Sequence, residues 1–349
     1  MKKYIVGLNG IRAIAVFFVI ISHRFPENHI LKSFPLGSYG VDIFFVLSGF
    51  LISRGLFFQL KLSESNFSSN TKILKNFFLK RCLRIFPVYY TLLLFLFLTK
   101  GIIGNSFIEN IWWYLLYGAN YLNYFQDRWF GALGHLWSLS VEEQFYIAFP
   151  ILLLFIFRKR ILLLLIIFII LGTLFPFFVD GNSGILTISC VNSFGIGGLL
   201  AYIEIYKNSV IFKFYKLTLY SSTSITLLLI VHNLYSPISF FSERLAISII
   251  AVFLITHCLL KPKSFAVDKI LGNRFLNFIG IISYGIYLYH NIVPKYWNFV
   301  LHKLKINFNN FQFSYLEFFL QTSFIIVLSY FSWILLEKPI LNLKKYLNE

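Results

Sequence analysis

The sequence predicts an all-α integral membrane protein of about ten transmembrane helices with both termini cytoplasmic, and three observations carry that prediction. Of its 349 residues 58% are apolar and only 13% are charged, with a mean hydropathy of +0.74; a soluble domain carries about 25% charged residues. Apolar runs of about 17 to 25 residues, enough to cross roughly 30 Å of hydrocarbon, recur along the whole chain. Basic residues cluster between them: with Arg12 set aside, alternate loops hold 22 and 8 lysines and arginines. The richer side is cytoplasmic by the positive-inside rule. One polytopic unit over residues 1–349, with no appended soluble domain, is the expected organisation.

The first run, residues 4–23, is twenty residues long, a helix of roughly 30 Å. Lys2-Lys3 ahead of it resembles a secretory signal, but no small-residue cleavage pattern follows His23. It therefore reads as an uncleaved span. Arg12 lies inside it, and an ionisable group within a span faces a protein interior or a wet cavity rather than lipid.

Further spans fall near 40–58, 86–103, 140–157, 161–179, 185–206, 213–232, 245–260, 275–293 and 315–336. Pro87 suits the first turn of the third, and Pro176 and Pro294 sit near helix ends. Between the second and third spans the polar stretch 63–70 gives way to Ile73, Leu74, Phe77 and Phe78 set among Lys72, Lys75, Lys80, Arg81 and Arg84. That pattern predicts a surface-lying helix. Residues 104–139 are rich in Trp and Tyr, as an interfacial belt would be; a sugar-stacking surface is the sharper reading. Gly195 to Gly198 and Ser221 to Ser224 read as close-packing sites between helices.

The net charge of +17 is accounted for by topology, so no nucleic-acid partner is expected. Cys82, Cys190 and Cys258 lack metal or redox spacing and read as small packing residues, and no metal site is expected.

Polar residues placed by depth fall into two groups. His23, His135, His290, Glu142, Glu143 and Asp42 lie toward the outer side. Histidine takes and returns a proton near neutral pH, so histidines beside a carboxylate suit general base chemistry. Ser140-Val-Glu-Glu143 has the form of a capping box, which would occupy Ser140 and Glu143 and leave Glu142 to face the interior. Toward the inner side lie Arg12, Arg54, Arg81 and Arg84, whose planar forks bind phosphate oxygens. Arg54, Arg81 and Arg84 also satisfy the positive-inside rule. From Arg12 to His23 is roughly 16 Å along a helix, a spacing that suits a long phosphorylated carrier whose reactive end points outward.

Six stretches carry a resemblance. They are Leu8-Asn-Gly-Ile-Arg12-Ala-Ile-Ala-Val with His23 in an Arg-x10-His spacing, Gly40-Val-Asp-Ile-Phe-Phe-Val-Leu-Ser-Gly-Phe-Leu-Ile52, Arg81-Cys-Leu-Arg84-Ile-Phe-Pro87, His135-Leu-Trp-Ser-Leu-Ser-Val-Glu-Glu-Gln-Phe-Tyr146, Ser283-Tyr-Gly-Ile-Tyr-Leu-Tyr-His290 and Glu337-Lys-Pro339. In this order the chain resembles the acyltransferase 3 family of bacterial membrane proteins. The resemblance implies ten spans in the cytoplasmic (inner) membrane. It also implies transfer of an acyl group, usually acetyl, from cytoplasmic acyl-CoA to a hydroxyl of a carbohydrate or glycolipid at the outer face. His23 would be catalytic, Arg12, Arg81 and Arg84 would serve the CoA donor, and Glu142 and His290 would line the site. Asn9-Gly10 stands where the family usually has Asp-Gly, and the hydrolase-like domain that some relatives append is not expected here. On this reading His23 is the general base and Glu142 polarises it, with a covalent acyl-histidine relay as the other route open to His23. The alternatives are a transporter or flippase for a glycan precursor, with Arg12 and His23 as its pathway, and a non-catalytic membrane sensor whose arginines bind lipid headgroups.

Overall fold

The computed structural model describes residues 5–26, 29–63, 67–238, 241–260, 265–305 and 315–347. Lys2, Lys3, Lys261 and Lys263 of the charge count, and part of the polar stretch 63–70, lie outside them. The described residues are helical with no strand. We label the principal helices α1 (Leu8–Arg24), α2 (Leu36–Leu62), α3 (Phe67–Leu98), α4 (Leu136–Ile151), α5 (Ile161–Leu174), α6 (Thr187–Tyr206), α7 (Ile211–Leu234), α8 (Glu243–Leu260), α9 (Arg274–Ile281), α10 (Ser283–Tyr289), α11 (Val293–Lys303) and α12 (Tyr315–Ser332). Among the described residues seven helical stretches are long and apolar enough to cross a membrane, built on α2, α3, α4, α6, α7, α8 and α12. Three expected spans are shorter: α1, α5 with its terminal turn at Pro176, and the pair α9 and α10.

Three expectations need correction. The surface helix and the third span are one continuous helix, α3, so Pro87 lies inside it rather than in a first turn; 32 residues make roughly 48 Å, more than a bilayer needs. The ninth span is broken at Ile282, after α9 is capped by Asn273, whose side chain accepts from Phe275 N at 2.7 Å. In α7 the hydroxyls of Ser221 to Ser224 return to carbonyls of their own helix, and only Ser222 of the four is buried. That run is not a packing seam.

The core is α2 clasped by α6 on one side and α1 on the other, with α5 behind α6 and α9 against α1. Helices in lipid gain little from hydrophobic burial against one another and associate where small residues let backbones approach. Gly197 does this in α6, as expected: a Cβ there would lie 2.2 Å from the Val46 carbonyl oxygen of α2. Gly280 does the same for α1, since its Cβ would lie 2.0 Å from the Asn9 carbonyl oxygen. The Gly280 contact packs α9 closely against the helix bearing Arg12 and His23.

Candidate active site

Two chambers open beside α1. The first, of about 120 Å³, is lined by Arg12, Arg81, Arg84, Glu142, Glu143, Ser48 and Tyr146 among others. Arg12 sits one turn into α1 and donates from Nη1 to Asn9 Oδ1 at 2.7 Å, while Asn9 Nδ2 donates to Asn277 Oδ1 at 2.9 Å. Arg81 stands over the Tyr146 ring, 5.2 Å from its centroid, as guanidinium groups do over aromatic faces. Ser48 Oγ donates to Glu142 Oε1 at 2.6 Å, so Tyr146 must supply the proton of its own 3.2 Å contact with Ser48. Glu143 is buried, and among the described residues its Oε1 has no hydrogen-bond partner.

The second chamber, of about 500 Å³, is lined by His23, His135, Trp129, Asn182, Arg244, Asn291 and neighbours. His23 Nδ1 lies 2.9 Å from the Val19 carbonyl oxygen. A carbonyl can only accept, so Nδ1 carries the proton, which in the neutral ring leaves the lone pair on Nε2. The same logic applies behind it. His290 donates from Nδ1 to Tyr287 O at 2.6 Å and His135 from Nε2 to Leu288 O at 3.1 Å. Among the described residues the buried His290 Nε2 has no hydrogen-bond partner. His290 does not line the chamber. It stands between the other two, its ring centroid 4.9 Å from that of His23 and 4.7 Å from that of His135.

The structure thus brings the three histidines together and joins Arg12 to Arg81 and Arg84, but it redistributes the carboxylates. Glu142 and Glu143 lie in the arginine chamber, away from the histidines. The cause is the start of α4: the helix is under way at Leu136, so Glu142 is seven residues beyond His135, about 10 Å along the axis. The capping box falls for the same reason. Ser140 is interior, donating to Leu136 O at 3.2 Å and accepting from Ala119 N at 3.1 Å. Arg54 lines neither chamber; its Nε reaches both oxygens of Glu204, the nearer at 2.7 Å. Asp42 is buried and accepts from Arg244 Nε at 2.8 Å. Of the aromatic stretch 104–139, Trp129 and Trp137 reach the histidine chamber, whereas Trp112 and Trp113 line a separate surface hollow.

Sequence reasoning missed Ser48, Tyr146, Tyr287, Ser138 and Arg244. Ser48, Tyr146, Tyr287 and Ser138 lie within stretches already singled out, but nothing local marks a serine or tyrosine as chamber-lining. Among the described residues no cluster of three or more His, Cys, Asp or Glu side chains is arranged to hold a metal ion.

Residues 5–338 match the family model described as an acyltransferase domain, that of the acyltransferase 3 family. A Staphylococcus aureus (strain COL) protein named "Putative O-acetyltransferase" is 32% identical over 326 residues, covering 84% of this chain and 51% of that protein. The "Peptidoglycan O-acetyltransferase OatA" of Listeria monocytogenes is 29% identical over 321 residues, covering 83% of this chain and 49% of that protein. The chain spans about half the length of these curated relatives. No solved structure matches it.

Proposed function

Since the chain belongs to the acyltransferase 3 family, we propose that it transfers an acyl group, acetyl in the first instance, from cytoplasmic acyl-CoA to a hydroxyl of a cell-envelope carbohydrate. The observation that carries this reading is the run of α1 from Arg12 in one chamber to His23 in the other. The arginine chamber takes the donor side and faces the cytoplasm, as the distribution of basic residues favours. Arg12, Arg81 and Arg84 attract the anionic donor, and Glu142, held by Ser48, lies beside them. The histidine chamber takes the acceptor. His23 Nε2 removes the proton from the acceptor hydroxyl as its oxygen bonds to the thioester carbonyl carbon; the carbon–sulfur bond breaks, and the proton ends on the CoA thiol. His290 and His135 hold the His23 ring in place. Glu142 is assigned to the donor side, because its carboxylate is bound to Ser48 in the arginine chamber.

The test is His23→Ala in membranes supplied with labelled acetyl-CoA, scoring label in the polysaccharide fraction. Loss of a positioned base is expected to lower transfer by about 10²–10⁴-fold. Wild-type levels of transfer by well-folded variant protein would end the assignment.

A further inference from the structure

We propose that Val41 and Tyr287 form a size filter between the two chambers, which admits a two-carbon acyl group to His23 and rejects longer chains. The proposal rests on the donor and acceptor sides assigned above. Among the described residues Val41 and Tyr287 are the two that line both chambers, and the route from the arginines to His23 is assigned between them on that ground.

Both walls of this passage are held. The Tyr287 hydroxyl is bound by Ser138 Oγ and donates to the His135 carbonyl oxygen at 3.1 Å. Its ring is packed edge-on against Phe44, with centroids 6.0 Å apart, and against His135 at 5.8 Å. Swinging it aside would break the hydroxyl contacts and disturb the histidine cluster together. Opposite, Val41 is buried on α2 between two fixed neighbours. Gly40 lies so close to α1 that a Cβ on it would be 2.4 Å from the Ala15 carbonyl oxygen, and Asp42 is tied to Arg244. A passage with two fixed walls discriminates by fit rather than by opening. The arginine chamber adds little slack, since its volume is about 120 Å³ against about 500 Å³ on the histidine side. The filter changes none of the bonds made or broken; it decides which thioester carbonyl reaches the acceptor oxygen.

One methylene in a tight apolar pocket is worth about 10–200-fold in discrimination. Val41→Ala removes two methyl groups from the passage, and Val41→Leu narrows it. Membranes bearing the wild type and each variant at matched levels would be given labelled acetyl-, propionyl- and butyryl-CoA, with label read in the polysaccharide fraction. Expected are a rise of about tenfold or more in the butyryl-to-acetyl ratio for V41A, and a fall in the propionyl-to-acetyl ratio for V41L. An unchanged butyryl ratio in V41A overturns the filter while leaving acyl transfer standing. Should V41A not accumulate, an unchanged propionyl ratio in V41L does the same. A wild type that transfers no acetyl group overturns the underlying reading and the filter with it.

Discussion

The His23 ring meets that of His290 edge to face, at 4.9 Å between centroids and 67° between planes, although His290 itself is wholly buried and does not line the chamber. The pair separates contact from support. Removing the support lets the His23 ring tilt without deleting it, and a misplacement of about 1 Å at a reacting group costs about 10²-fold. His290→Ala is therefore expected to lower kcat about 10²-fold, with little change in the KM for acyl-CoA. An increase in donor KM as large as the loss in kcat would show instead that His290 acts on the donor side.

The two arginine environments predict opposite behaviour for residues of one type. Arg54 is held by Glu204 and has no place in the chamber, so Arg54→Ala removes a charged hydrogen-bonded contact worth about 1.5–3 kcal/mol. It should lower the thermal midpoint in detergent and leave donor KM unchanged. Arg81→Ala should raise donor KM, and that increase should shrink at high salt, where screening already weakens the wild type. Equal donor KM values for the two variants would undo the distinction.

The contact between Gly280 and Asn9 offers a geometric test. A Cβ at position 280 would lie 2.0 Å from the Asn9 carbonyl oxygen, a clash that only a backbone shift relieves. Asn9 holds Arg12 through its side-chain oxygen, so moving the start of α1 moves that guanidinium. Gly280→Ala is expected to raise donor KM as well as to destabilise the protein. Steady-state kinetics on membranes at matched protein levels would check it, and normal donor KM would place the shift in α9 instead.

These sites were legible in the sequence to different degrees, for physical reasons. Arg12 and His23 share one uninterrupted helix, so their separation is simple arithmetic on the rise per residue. The three histidines read as a group because the alternation of loops puts the end of the apolar run beside each of them on the same side. Glu142 reads from the sequence as a neighbour of the histidines, because apolar Leu136 and Leu139 look alike whether they end a loop or begin a helix; it lines the arginine chamber instead. Arg54 reads from the sequence like Arg81, since its partner Glu204 lies 150 positions away. Arg244 pairs with Asp42 across 202 positions, and no local pattern carries such a contact.

That last pair makes the strongest stability prediction. Arg244 donates from Nε to Asp42 at 2.8 Å, from Nη1 to Ser189 O at 2.8 Å and from Nη2 to Gly184 O at 2.9 Å. Asp42 is 3% exposed, so Arg244→Met strands a buried carboxylate and two carbonyls, a loss of about 3–5 kcal/mol. Replacing both partners of a buried pair with apolar residues is far less costly than removing one. The double variant Asp42→Leu with Arg244→Met should therefore regain much of the thermal midpoint lost by Arg244→Met alone. It should not regain transfer activity, because Gly184 and Ile185 line the histidine chamber and their segment would still lack its anchor. Thermal unfolding in detergent beside the labelled-acetyl assay separates the two effects. A double variant no more stable than R244M would mean that the carbonyl contacts, rather than the stranded charge, dominate the cost.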